Sequence, residues 1–171
     1  KMDINQLKTQ AEGDYLFPTD IFKNAQDAYL LQNDYAGRGS ETTAIMTYAY
    51  QSYLIRPHNE EVATIMEKIG IVEMHHHEIL ARLILATGGN PMIGAKGEFW
   101  TGANVDYATN LKKMLINDIA AEKRAIEGYE YTIDNLNNKS IVPVIERIIA
   151  DEKVHIETLE ALLTAFEFWQ S

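Results

Sequence analysis

Cysteine is absent from the 171 residues, which excludes disulfides, thiol nucleophiles, iron–sulfur clusters and cysteine-held iron. Any metal must therefore sit on His, Asp or Glu. Proline is scarce, with only 4 in the chain, so long helices can run uninterrupted. Cationic residues are in deficit. Fifteen Lys and Arg face 25 Asp and Glu, and the net charge of −10 repels phosphate backbones and anionic lipid, so neither nucleic acid nor a membrane is an expected partner. No apolar run approaches the roughly 18 residues of a membrane span. Residues 1–10 lack the basic start and apolar core of a signal peptide, and a cytoplasmic location is expected.

What is present is helical periodicity: apolar residues recur at spacings of three and four over long stretches. The reading is a single all-α domain over residues 1–171, with an N-terminal arm and leader helix in 1–35 and a four-helix bundle in 36–169. The leader is expected over Asp20 to Asn33. The first long helix is expected from Ala36 to Ile55, ending before Arg56-Pro57, and the second from a cap at Asn59 to about Ala86, ending at Gly88-Gly89-Asn90-Pro91. A Gly-rich stretch of nearly 20 residues follows, as a crossover between the two ends of a bundle requires. The third helix is expected over Tyr107 to Leu136 and the fourth from Ser140, with Pro143 just inside, to Trp169.

Alternating steps of four and three along the second helix give Val62, Met66, Ile69, Glu73, His76, Leu80 and Leu83. Along the fourth they give Ile141, Ile145, Ile148, Glu152, His155, Leu159, Leu162, Phe166 and Trp169. Each core stripe is interrupted once, by Glu-x-x-His. The first helix carries Glu41, Ile45 and Tyr48 on one face, and the third carries Leu115, Asp118, Glu122, Ala125 and Tyr129, so each adds one glutamate to an inward face. Glu41 lies 14 residues before Ile55 and Glu73 lies 14 after Asn59. At about 1.5 Å per residue both are about 21 Å from the same turn. Glu122 and Glu152 agree in depth within a turn. An offset of 81 superposes Glu41, Ala44, Ile45 and Tyr48 on Glu122, Ala125, Ile126 and Tyr129, and an offset of 79 superposes Glu73, His76 and Leu80 on Glu152, His155 and Leu159. A repeated hairpin would set two half-sites face to face.

Burying one ionised carboxylate in an apolar core costs several kcal/mol, so four at core positions demand a shared compensating charge. Two divalent cations supply it. A neutral histidine three residues after a glutamate shares its helix face and can bind the same ion. A single Glu-x-x-His carries little weight, because a lone core histidine is usually just hydrogen-bonded. Two in register with two further glutamates at matched depth point to metal. Tyr48 and Tyr129, seven residues after their glutamates, are expected to reach carboxylates of the neighbouring helix. His75 and His77 are expected on solvated faces and His58 beside a turn.

Glu41, Glu73-Met74-His75-His76, Glu122 and Glu152-Lys153-Val154-His155, spread over four helices with a crossover, resemble the ferritin-like di-metal carboxylate superfamily, and within it the rubrerythrin-like proteins and manganese catalases. Tyr35-Ala36-Gly37-Arg38-Gly39-Ser40-Glu41 is similar to the approach to the first ligand in manganese catalases. The resemblance implies a ferritin-like antiparallel bundle and two Fe or two Mn ions per chain. It implies Glu41 and Glu122 as terminal or chelating ligands, Glu73 as the bridge, and His76 and His155 on one ion each. Glu152 is implied either as a second bridge or as a catalytic proton-transfer group. It further implies an oxidoreductase acting on hydrogen peroxide, by disproportionation or by reduction, the latter with a separate electron-donor protein. Ferritin-like iron binding and storage with oxygen is the alternative, set back because a storage cage normally needs a short further helix after the fourth long one and the sequence runs only to Ser171. Rubrerythrins carry a further glutamate where this chain has Ala125. The large apolar side chains of Tyr15, Leu16, Phe17, Ile21, Phe22, Tyr29 and Leu30, with Phe99 and Trp100 in the crossover, are expected to pack on the bundle's outside or against a second chain, and a homo-oligomer is the favoured reading.

Overall fold

The computed structural model describes residues 3–170, without the side chains of residue 5 and residues 167–170; the core position expected for Trp169 falls outside them. Five α-helices account for most of the described chain: α1 (Ala25–Ala36), α2 (Glu41–Ile55), α3 (Glu60–Ala86), α4 (Leu111–Asn135) and α5 (Val142–Gln170). Helices α2 and α3 form one hairpin, α4 and α5 a second, and the crossover joins them, as a ferritin-like bundle requires. Among the described residues no helix is long and apolar enough to cross a membrane.

Asparagine side chains set most helix starts by accepting a backbone N–H of the first turn: Asn24 from Asp27, Asn59 from Val62 and Asn110 from Lys113. Two of these caps correct expected boundaries, at Asn24 and Asn110, whereas Asn59 falls where it was expected. The leader begins at Ala25 rather than Asp20, because Asn24 caps it and bonds through its own N–H to the Thr87 carbonyl at 2.9 Å. It runs on to Ala36, so Tyr35 and Ala36 belong to α1. The third long helix starts at Leu111, after Asn110, instead of at Tyr107. Residues 37–40 form a turn, and a Cβ at Gly37 would lie 2.5 Å from the Asn33 carbonyl oxygen. Glu41 thereby becomes the first residue of α2, where the unpaired N–H groups of the helix start favour a carboxylate. Ser140 falls in a single 3-10 turn, Lys139–Ile141, that precedes α5. The crossover holds a two-residue strand pair, Gly94–Ala95 against Glu98–Phe99, turned by Lys96 and Gly97 at positive φ.

The core is divided. One apolar cluster contains Leu31, Leu80, Leu83, Ile84, Ile141, Ile145 and Ile148; the other contains Ile55, Met66, Ile69, Met114, Leu115, Leu159 and Leu162. The Glu-x-x-His pairs lie between them in sequence along both α3 and α5, and the stripe residues Val62 to Leu83 and Ile141 to Leu162 are all buried, as their period requires.

The N-terminal arm divides its apolar residues between the bundle's outside and the surface. Tyr15, Phe17 and Ile21 pack against the first cluster of the same chain, and Leu30 is buried. Trp100 is partly buried and donates its indole N–H to Thr43 Oγ1 at 2.8 Å, so of the two crossover aromatics only Phe99 is exposed. The apolar surplus is thus spent mainly within the chain, because α1 and the arm cover flanks that four helices leave open. Leu16, Phe22 and Tyr29 remain exposed.

Asp27, fully buried, fastens α1 to the turn between α4 and α5. Its carboxylate accepts the backbone N–H groups of Asn137 and Asn138, each at 2.8 Å, and the Asn138 amide at 2.7 Å. Burial acts to raise its pKa, but these donors outweigh it and hold the group below the usual carboxylate value. Replacing Asp27 with Ala should therefore lower unfolding stability by about 2–3 kcal/mol in urea titrations at pH 7. An unchanged midpoint would mean that the turn holds α1 by other contacts.

Candidate metal centre

Glu41, Glu73, His76, Glu122, Glu152 and His155, drawn from α2, α3, α4 and α5, converge in one buried layer, each no more than 4% exposed. Nδ1 of His76 lies 2.9 Å from Glu73 Oε2, 3.2 Å from Glu152 Oε1 and 3.6 Å from Glu41 Oε1. Nδ1 of His155 mirrors it, 3.0 Å from Glu152 Oε2, 3.2 Å from Glu73 Oε1 and 3.5 Å from Glu122 Oε1. Two sets of four donors result, Glu41, Glu73, His76 and Glu152, and Glu73, Glu122, Glu152 and His155, each with ligand atoms within 4.8 Å of one another. Glu73 and Glu152 belong to both. Oε2 of Glu41 and Oε1 of Glu73 are buried and accept no hydrogen bond.

The outer edges of the imidazoles are also held. His76 Nε2 faces Asp151 Oδ2 at 2.9 Å, and His155 Nε2 faces the Thr9 carbonyl oxygen at 2.9 Å. A carbonyl oxygen and an ionised carboxylate can only accept, so both Nε2 atoms donate. Each neutral ring then presents its lone pair at Nδ1, toward the carboxylates. Tyr48 of α2 donates its hydroxyl to Glu122 of α4, and Tyr129 of α4 donates to Glu41 of α2. A cavity of about 760 Å³ lies between α2 and α4, bounded by Glu41, Glu122 and Glu152 at its floor. Small residues line it, including Gly39, Ala44, Ala125 and Gly128, and exposed Arg38, Lys96 and Arg124 form part of its wall on an otherwise acidic chain.

Residues 36–163 match the rubrerythrin family. The chain belongs to that family. A probable manganese catalase of Clostridium acetobutylicum is 26% identical over 155 residues, covering 78% of this chain and 68% of that protein. The crystal structure of KatB, a manganese catalase from Anabaena PCC7120, superposes with a TM-score of 0.83 over 92% of this chain and 80% of that one, at 21% identity, which speaks for the fold. The bacterioferritin of Desulfovibrio desulfuricans superposes with a TM-score of 0.70 over 84% of this chain and 81% of that one, at 26% identity.

Every site position expected from sequence falls in this layer or, for the two tyrosines, bonds to it. Four contributors were not expected in their roles. Asp151 carries two side-chain partners beyond His76: Arg147 donates to its Oδ1 at 2.5 Å and the Tyr15 hydroxyl to its Oδ2. Its signal was a carboxylate directly before Glu152, one turn after an arginine. The Thr9 carbonyl is backbone and has no side-chain signal. Asp118, only 3% exposed, accepts from the Gln51 amide at 2.9 Å. His77 is not simply solvated: it stacks on Tyr35 with ring centroids 4.1 Å apart and lies 3.2 Å from Thr42 Oγ1. His75 is exposed, as its helical angle requires.

The metal-free site favours protons. Burial, then repulsion from Glu73, pushes Glu41 up to about 8. Burial, then repulsion from Glu122, pushes Glu152 up to about 7. Burial acts to lower both imidazoles, but Glu152 and Glu41 around His76 and Glu73 beside His155 overcome it and raise them well above the usual 6.5. Burial would likewise raise Asp151, yet its bonds from His76, Tyr15 and Arg147 hold it well below the usual range.

Between pH 5 and 8 the folded metal-free chain thus holds more protons than the unfolded chain, whose carboxylates ionise near 4.5 and imidazoles near 6.5. Stability must then fall as pH rises through that window. Chelated protein should melt at a higher temperature at pH 6 than at pH 8.5 in circular-dichroism scans. The opposite order would show that the layer is not proton-loaded when empty of cations.

Proposed function

We propose that this rubrerythrin-family protein is a dinuclear manganese- or iron-dependent oxidoreductase that disproportionates hydrogen peroxide. The observation that carries the reading is the pair of four-donor sets sharing Glu73 and Glu152, with unpartnered Glu41 and Glu73 oxygens inside an otherwise closed core. Four carboxylates and two neutral imidazoles suit two divalent cations in charge, and an oxygen- and imidazole-only donor set suits manganese or iron. Glu41 with His76 would hold one ion and Glu122 with His155 the other, with Glu73 between. Two such ions supply the two-electron change that takes one peroxide to water and a second to oxygen.

The chain's own groups divide the remaining work. Tyr48 and Tyr129 each hold one oxygen of a terminal carboxylate by donating to it, which leaves the other free. Glu152 spans both imidazoles and is the group placed to take a proton from an incoming peroxide and return it to the departing water. The cavity between α2 and α4 admits a small uncharged molecule to the carboxylate layer, and its lining by Ala44, Ala125 and Gly128 leaves room where larger side chains would close it. The resemblance to manganese catalases supports disproportionation, because that reaction uses peroxide as both oxidant and reductant and needs no donor protein. Peroxide reduction with a separate electron donor is the second reading, favoured by the family match alone.

Protein isolated with its native metal should release oxygen when peroxide is added without reductant. Peroxide loss that begins only with a reductant would favour the second reading instead. Glu73→Ala and His155→Ala should each lose stoichiometric binding of two ions while far-UV dichroism stays helical, since the two apolar clusters remain. Two tightly held ions per chain in either variant would sink the site assignment.

A further inference from the structure

The two half-sites differ in what holds the outer edge of each histidine. The offset of 79 that carries Glu73 onto Glu152 and His76 onto His155 carries Val72 onto Asp151. Asp151, on α5, reaches across to His76 Nε2 on α3. Its counterpart Val72, buried on α3, has no acceptor to offer His155. That histidine takes instead the Thr9 carbonyl, from a segment outside the bundle.

The segment is held in place for this. Thr158 Oγ1 donates to the Lys8 carbonyl at 2.5 Å, next to Thr9. Arg147 donates to the Ala11 carbonyl at 2.7 Å and the Gly13 carbonyl at 2.9 Å, and packs over the Tyr15 ring at 4.6 Å. The Ala11 N–H closes the series on Asp151 Oδ1 at 2.7 Å. Ile4 and Leu7 pack into the second apolar cluster.

We propose that the Thr9 backbone carbonyl is a positioning group for His155, standing in for the carboxylate missing at residue 72, so that residues 1–9 govern cation affinity at the His155 half-site, while Ala11 and Tyr15 further along the arm serve Asp151. The inference rests on the two-cation reading given under Proposed function. A carbonyl accepting from Nε2–H fixes the tautomer and the ring plane and leaves Nδ1 as the donor to the ion. Without it the ring can rotate or place its proton on Nδ1, which blocks binding. Asp151 performs the same task for His76 from within the bundle and does not need residue 9.

The test removes residues 1–9 and titrates Mn(II) calorimetrically into chelated protein, with metal counts after gel filtration. Full-length chain should bind two ions. The shortened chain should keep one at unchanged affinity and bind the other about 10- to 100-fold more weakly. Adding Val72→Asp to the shortened chain should restore the second affinity without restoring the melting temperature lost with Ile4 and Leu7. Stability alone would move both together. Equal loss of both ions, no loss of either, or no rescue by Val72→Asp would overturn the proposal. Should the shortened chain fail to fold, full-length Thr158→Val keeps Ile4 and Leu7 packed and must weaken the same single ion; two unaltered ions there would also overturn it. Failure of the full-length chain to bind two ions would instead refute the two-cation reading.

Discussion

Mutual compensation of charge inside a closed core is the constraint on which the rest of this protein depends. Four glutamates and two histidines occupy one layer between two apolar clusters. Each carboxylate there would be prohibitive alone. Together they are tolerable because most polar edges have a counterpart: tyrosine hydroxyls on Glu41 and Glu122, imidazoles on Glu73 and Glu152, and Asp151 and a carbonyl behind the imidazoles. The oxygens left over face one another, and that is where cations fit.

The same constraint explains what could be read without coordinates. A carboxylate on a 3.6-residue apolar stripe is a conflict visible in one dimension, so Glu73, His76, Glu152 and His155 stand out at once. Glu41 and Glu122 needed one more step, matching their depth to the nearest turn. Helix α3 was legible at both ends because Asn59 and the Gly88-Gly89 pair are local signals. The start of α2 was not. The 37–40 turn depends on Gly37 lying close over the Asn33 carbonyl four residues back, a backbone contact that apolar periodicity does not register.

The arm was the least legible part. Its apolar residues were read as surplus, and an oligomer interface was the natural place for them. Tyr15, Phe17 and Ile21 pack within the chain, whereas Leu16, Phe22 and Tyr29 stay exposed, where a second copy could meet them. The bonds that Thr9, Ala11 and Gly13 make to α5 join residues more than 130 apart and use their backbone carbonyls. No side-chain pattern marks a backbone acceptor. His77 shows the same limit in small: its helical angle points away from the site, and Tyr35, supplied by another helix, gives it a partner there.

The exchange of tyrosines between α2 and α4 acts as a vernier. Tyr48 reads the position of Glu122 and Tyr129 reads that of Glu41, so the two bonds run in opposite directions along the helix pair. Advancing one hairpin past the other by a single residue, about 1.5 Å, would shift both marks at once. An apolar seam of interchangeable isoleucines and leucines tolerates such slippage, because one ridge fits nearly as well as the next. Paired directional bonds do not, and the two repeats are thereby indexed to a single alignment before any ion arrives.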